Sequence, residues 1–185
     1  MPQFTKNAII DSFIKLLNEK PLDKITVKDI VEDCGINRNT FYYYFSDIRT
    51  LVVAILNKET EDVLSKHIRD ESWEEGFIAA VAFALENKKA IYHIYNSVSK
   101  DELERYLNTI AEDVMRRYIH FVSDGFEIAK EDKELIISFY KCALVGMVLD
   151  WTGSGMKNNP EELIRRLGKL FEGNIIHSLE LCSKQ

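Results

Sequence analysis

The run Asn37-Arg38-Asn39-Thr40-Phe41-Tyr42-Tyr43-Tyr44-Phe45 carries the densest chemistry in the chain. On a helix Phe41 and Phe45 stand four apart and share one face, which suits the core of a small helical unit. Asn39 and Tyr43 are also four apart and point the other way, flanked by Thr40 and Tyr42 with Arg38 beside them. Ordinary solvated faces are rich in Lys and Glu; this one offers amides, hydroxyls and phenols. Tyrosine hydroxyls donate to phosphates, Asn pairs with adenine, Arg with guanine, and Thr or ring carbons touch a thymine methyl. The chemistry implied is the reading of a DNA groove. The competing reading packs Tyr42 to Tyr44 against a neighbouring domain, but a core favours Leu or Phe over three phenols that need partners.

Nothing else in the sequence offers comparable chemistry. No Ser/His/Asp set, paired carboxylates or phosphate-binding Gly loop is present, so an enzyme is not expected, nor a cofactor. His67, His93, His120 and His177 show no ligand spacing, and no metal site is expected. Cys34, Cys142 and Cys182 are odd in number and far apart, which predicts buried, reduced thiols.

The elements that must hold the aromatic run are helical. The 185 residues are 46% hydrophobic and 29% charged with only 8 Gly and 3 Pro, a composition for helices in a soluble protein. A stripe at positions 9, 10, 13, 14, 16 and 17 predicts a first helix from Lys6 to Asn18 with Thr5 as N-cap. Thr26 and Asp29 form a capping-box variant that opens a second helix, ending near Cys34-Gly35. Asn37 caps a short third helix over Arg38 to Tyr44, and Ser46 or Asp47 caps a fourth. Helix, tight Gly-containing turn and short helix over residues 26–45 make a helix-turn-helix.

Behind it, Glu74 to Glu86, Lys88 to Val98, Asp101 to Val122, Lys133 to Trp151 and Pro160 to Cys182 read as further helices, with breaks at Glu71-Ser72, Asn87, Ser99, Ser123-Asp124-Gly125 and Thr152-Gly153-Ser154-Gly155. The fold class is all-α: a three-helix helix-turn-helix domain over 1–47, then a second helical domain over 48–185, which the family resemblance given below reads as the effector-binding and dimerisation domain, about nine helices in all. The longest uncharged apolar run, Cys142 to Leu149, falls far short of the ~20 residues of a membrane span, and no basic-then-apolar leader opens the chain. A cytoplasmic protein with no membrane partner is expected. The net charge of −6 resides entirely behind residue 50, because residues 1–50 hold seven basic and seven acidic groups. A neutral front half must bind DNA through a few well-placed groups.

Thr26-Val27-Lys28-Asp29-Ile30, Gly35-Ile36-Asn37-Arg38-Asn39-Thr40-Phe41-Tyr42-Tyr43-Tyr44-Phe45 and Leu51 together resemble the DNA-binding domain of the tetracycline-repressor family. The resemblance implies a dimer on near-palindromic double-stranded operator DNA, with the short helix in the major groove. It places Thr26 and Tyr42 on phosphate and Lys28 near the groove, with Asn37, Arg38, Asn39, Thr40, Tyr43 and Tyr44 approaching bases or backbone. Where the family usually has a phosphate-anchoring Lys, this chain has Ile48, with Arg49 next to it as the candidate substitute. The basic N-terminal arm is reduced to Lys6.

In the back half, the pattern Phe139…Gly146…Trp151 resembles the C-terminal region of a subgroup that includes regulators of dihydroxyacetone-kinase operons. Family likeness puts a dimer interface on the last two helices, with Ala143, Gly146, Met147, Trp151, Leu163, Leu167, Leu170 and Phe171 as candidates; Cys142, Ala143 and Gly146 leave a low spot for close approach. The segment from Lys133 to Trp151 is apolar nearly all round, which predicts burial on several sides. An effector pocket wants an apolar wall with a few polar groups, and Phe77, Phe83, Tyr92, Tyr95, Tyr106, Tyr118, Phe121 and Tyr140 are the candidates. The function expected is a repressor released from its operator by an unidentified small molecule. The alternative is a regulator, activators included, controlled by a partner protein.

Overall fold

The computed structural model describes residues 2–66, 72–97 and 99–183; the expected break at Glu71, the expected helix end at Val98, and His67 lie outside the described residues. Nine α-helices occur among them: α1 (Pro2–Glu19), α2 (Val27–Cys34), α3 (Arg38–Tyr44), α4 (Ile48–Lys66), α5 (Trp73–Glu86), α6 (Lys88–Tyr95), α7 (Lys100–Val122), α8 (Lys130–Gly153) and α9 (Pro160–Ser183). One 3-10 turn covers Leu22–Lys24 after Pro21, and no strand is present among the described residues.

Local sequence explains the front of the chain. Thr26 and Asp29 satisfy each other's backbone N–H groups at the start of α2, at 2.8 and 3.2 Å. Gly35 ends α2 at φ +69°, a left-handed conformation that side chains disfavour, and this reverses the chain toward α3. Asn37 Oδ1 accepts from the Thr40 amide at 2.8 Å, and Asp47 Oδ1 does the same for Thr50 at 2.7 Å to open α4. Phe41 and Phe45 are buried beside Ile9, Phe13 and Ile30. The Ser12 hydroxyl donates to the Ile30 carbonyl, tying α1 to α2.

Three expectations are corrected. The first helix starts at Pro2, so Thr5 sits inside it rather than at its cap; a first-turn Pro lacks only an N–H that would have no intrahelical partner. Helix α8 runs through Thr152 and Gly153, with the Thr152 hydroxyl donating to the Val148 carbonyl, and ends at Ser154. The thiols are free, but Cys142 is exposed and Cys34 and Cys182 are half-buried.

The back half is built on α7, which packs along α8 and also against α4 and α5, while α9 lies on α5 and α8. Arg116 of α7 bridges Glu112 and Glu134, fastening α7 to α8. The front unit rests on this frame through α1 and α6, where His93 Nδ1 donates to the Leu17 carbonyl at 2.7 Å. Helix α8 is long and apolar enough to cross a membrane by length and composition, which a count of uninterrupted apolar residues misses. One side of it, with Ile137, Tyr140, Leu144 and Trp151, is core. The expected burial on several sides does not occur within one chain, because Leu135, Phe139, Cys142 and Gly146 lie open.

Candidate nucleic-acid interface

The short α3 is anchored from beneath by Phe41 and Phe45, and this turns Arg38, Asn39, Tyr42 and Tyr43 to solvent. Tyr43 is 80% and Tyr42 54% exposed. Tyr44 is half-buried and meets Tyr43 edge-on, with ring centres 5.0 Å apart. Asn37 and Thr40 are engaged locally, since the Thr40 hydroxyl donates to Asn37 Oδ1 at 3.0 Å. Thr26 is exposed but bound into its capping box; the Thr26 amide and hydroxyl and Lys20 hold the Asp29 carboxyl down at about 2.

Ion pairs decide which cations remain available. Lys15 pairs with Asp33, Lys20 with Asp29, Lys24 with Asp23, and Lys28 with Glu32. Lys6 lies 6.0 Å from the Phe45 ring centre. Arg38 stands without an ion pair among the described residues and is exposed like its neighbour Asn39.

Arg49 is placed differently from its sequence-based expectation. Its Nε donates to Glu102 Oε1 of α7 at 2.7 Å, and Arg105 binds the other carboxylate oxygen. Glu102 is only 5% exposed, so the start of α4 is clasped to α7 by a buried carboxylate between two guanidiniums. The Arg49 hydrogen bond holds the Glu102 carboxyl below the ordinary glutamate range against the opposing effect of burial. A depressed carboxyl stabilises the fold above its unfolded value and loses that contribution as pH falls through the folded one. Glu102→Gln is expected to lower Tm by roughly 3 °C at pH 7. That gap should close as pH falls below about 5; melts of both proteins from pH 7 to pH 3 check it.

The aromatic residues expected to wall one effector pocket are distributed over several seams. Phe83 faces Leu17, Val52 and Ile94; Phe77 faces Leu144, Trp151 and Leu163. Tyr106 lines a separate cavity between α4 and α7, and Tyr92 an open groove beside Arg49. Tyr140 and Tyr118 are buried, Tyr95 is half-buried, and Phe121 is exposed on α7. Of the candidate interface residues, Gly146, Leu163 and Leu170 are exposed, and Ala143, Met147 and Leu167 are half-buried. Trp151 and Phe171 serve the chain's own core: the Trp151 indole N–H donates to the Asn158 carbonyl, and Phe171 stacks on Trp73 at 5.7 Å. The open apolar face also includes Leu135, Phe139, Ile176 and Leu181. The pattern alone gave no reason to prefer these over their buried neighbours.

A three-helix unit that presents a short, polar and aromatic helix from a long helical frame defines a helix-turn-helix transcription regulator with a DNA-binding domain. Residues 9–55 match the family of bacterial regulatory proteins, tetR family, and residues 71–173 match a transcriptional regulator C-terminal region. The chain belongs to the tetR family of transcription regulators.

Relatives match part of the chain. Over 58 residues it is 43% identical to the uncharacterized HTH-type transcriptional regulator YvdT of Bacillus subtilis (strain 168), 30% of either chain. Over 51 residues it is 35% identical to the HTH-type transcriptional regulator EthR of Mycobacterium tuberculosis, 28% of this chain and 24% of that one. Over 80 residues it is 26% identical to tetracycline repressor protein class D of Escherichia coli, 40% of this chain and 35% of the relative. The chain thus matches about a third or less of these relatives' lengths.

The fold is shared end to end with the dihydroxyacetone kinase operon activator DhaS, at TM-score 0.78 and 18% identity over 97% of this chain and 98% of that one. A TetR transcriptional regulator from Streptococcus agalactiae 2603V gives TM-score 0.59 and 21% identity over 98% and 95%.

Proposed function

We propose that the chain is a cytoplasmic, homodimeric repressor that binds a specific operator through residues 1–47 and is released when a small molecule occupies residues 48–185. The observation that carries the DNA-binding part is the outer surface of α3, where Arg38, Asn39, Tyr42 and Tyr43 are exposed together and Arg38 has no carboxylate partner among the described residues. Asn39 and Arg38 suit base edges, and Tyr42 with Thr26 suits phosphates. Lys28, Asn37, Thr40 and Tyr44 flank them, and Arg49 reaches backbone only by leaving Glu102. A division at residue 47 is supported by α4 beginning at Ile48.

Dimerisation through α8 and α9 is supported by the open apolar residues of both helices and by a depression of about 460 Å³ over Cys142, Ala143 and Gly146. Small-molecule control is supported by a partly open cavity of about 100 Å³ between α4 and α7, lined by both apolar and polar residues. A partner-controlled activator is the second reading, favoured by the end-to-end likeness in fold to a protein named as an operon activator. The test is fluorescence anisotropy of the purified protein on the DNA upstream of its own gene, against random DNA and across a salt series. Specific binding at one or two dimers per site supports the proposal; binding no tighter than to random DNA overturns it.

A further inference from the structure

Away from their ends, α8 and α9 hold three glycines, and the chain's own packing needs only one of them. A Cβ at Gly168 would strike the Glu74 carboxylate of α5. A Cβ at Gly146 or at Gly173 would meet nothing within 4 Å. Glycine in a helix interior costs stability relative to alanine. Where the chain itself leaves room for a side chain, the reason for glycine lies outside the chain. Both residues are exposed, Gly146 on the open side of α8 with Phe139 and Gly173 on that of α9 with Leu170.

What comes close to Gly146 is legible on α8 itself. Phe139 stands two turns earlier on the same line of the helix, about 10 Å away, with its ring exposed. The small Cys142 and Ala143 lie between them, and the depression of about 460 Å³ over these residues and Gly146 is bordered by Leu163 of α9. A pocket of roughly 150 Å³ already accepts benzene, so a phenyl ring has room there. A two-fold axis crossing α8 midway between Phe139 and Gly146 sets each ring over the other copy's glycine, twice in one contact. A knob and a hole on one line are self-complementary, which fits a second copy rather than a foreign partner. Charge selects among the registers. Sliding one turn, so that Leu135 fills the hole, sets the exposed Glu131 and Asp150 of opposite copies against each other twice. The midway register sets Asp150 against Leu135 and avoids that repulsion.

We propose that α8 crosses α8 of a second copy in antiparallel, with each Phe139 ring seated over Gly146 of the other. The inference rests on the dimer reading above and gives that dimer its register. By the same reasoning Gly173 marks where the second copy nears α9.

The experiment is sedimentation velocity of the full chain over a concentration series, with circular dichroism as the check on folding. Gly146→Phe fills the hole and Phe139→Ala removes the knob. Each is expected to weaken the dimer about thirtyfold or more and to keep its helix content, because both positions face away from the core. Gly146→Leu serves in the same role if Gly146→Phe does not fold. Mixing the two variants is the deciding step. In the mixed dimer each contact between positions 139 and 146 pairs one ring with one small residue, so affinity is expected to return to within about threefold of wild type. Variants that stay apart on mixing, or a Gly146→Phe protein as dimeric as wild type, overturn the register. If Phe139→Glu still yields a monomer in that case, α8 and α9 stand as the interface and only this inference falls. A wild type that is monomeric at every concentration removes the dimer reading as well.

Discussion

Phe139→Glu is expected to yield a folded monomer whose affinity for a full operator falls by about 10²–10⁴-fold. Phe139 is 67% exposed on α8, Leu135 one turn earlier is 69% exposed, and Leu170 on α9 is 62% exposed. A monomer rarely leaves large apolar side chains open on two adjacent helices, and a second copy of α8 and α9 would cover them without new chemistry. The substitution spares the fold because the Phe139 ring meets Tyr140 edge-on at 5.3 Å and otherwise faces solvent. It opposes association because a carboxylate in the middle of an apolar interface loses its hydration without a partner. The loss on DNA follows from linkage: two joined heads bind two half-sites at high effective concentration, and one head does not. Sedimentation velocity gives the mass, circular dichroism the helix content, and anisotropy on full and half operators the affinity. Phe139→Leu should keep the dimer. A Phe139→Glu protein that remains dimeric removes α8 and α9 as the interface.

The difference between what was legible and what was not follows the range of the interactions. The bounds of α3 were readable because every signal is local: Asn37 caps it, Gly35 turns the chain into it, and Phe41 with Phe45 fixes its inner face. The capping box of Thr26 and Asp29 spans three residues and was equally plain. Arg49 was readable only as a cation near the recognition helix, because its partner Glu102 lies 53 residues away. The eight candidate pocket aromatics failed to converge for a related reason: residue type says that a ring is apolar, not which seam it enters. On α8 the apolar residues nearly encircle the helix, so sequence alone could not divide core from open face. Trp151 fell on the core side, Leu135 and Phe139 on the other.

Arg38→Ala is expected to weaken operator binding roughly 5- to 150-fold, the equivalent of about 1–3 kcal/mol, while Lys28→Ala changes it less than about threefold. The asymmetry comes from ion pairing. Four of the first fifty residues' lysines already face carboxylates, and Arg49 is held by Glu102. Each of these must give up a protein partner to gain a phosphate, which offsets up to about 1 kcal/mol of its contribution to DNA binding. Arg38 gives up only water. The salt dependence then assigns its role, because each phosphate neutralised contributes about −0.9 to the slope of log affinity against log salt. If Arg38 grips phosphate, Arg38→Ala flattens the slope by about one and weakens random DNA equally. If it reads guanine, the slope stays close to wild type and preference at one base position is relaxed. Asn39→Ala should behave as a base-reading loss and Tyr42→Phe as a uniform one, so anisotropy on operator, single-base variants and random DNA separates the three side chains. Unchanged affinity for Arg38→Ala on every DNA would mean that the exposed face of α3 does not enter the groove.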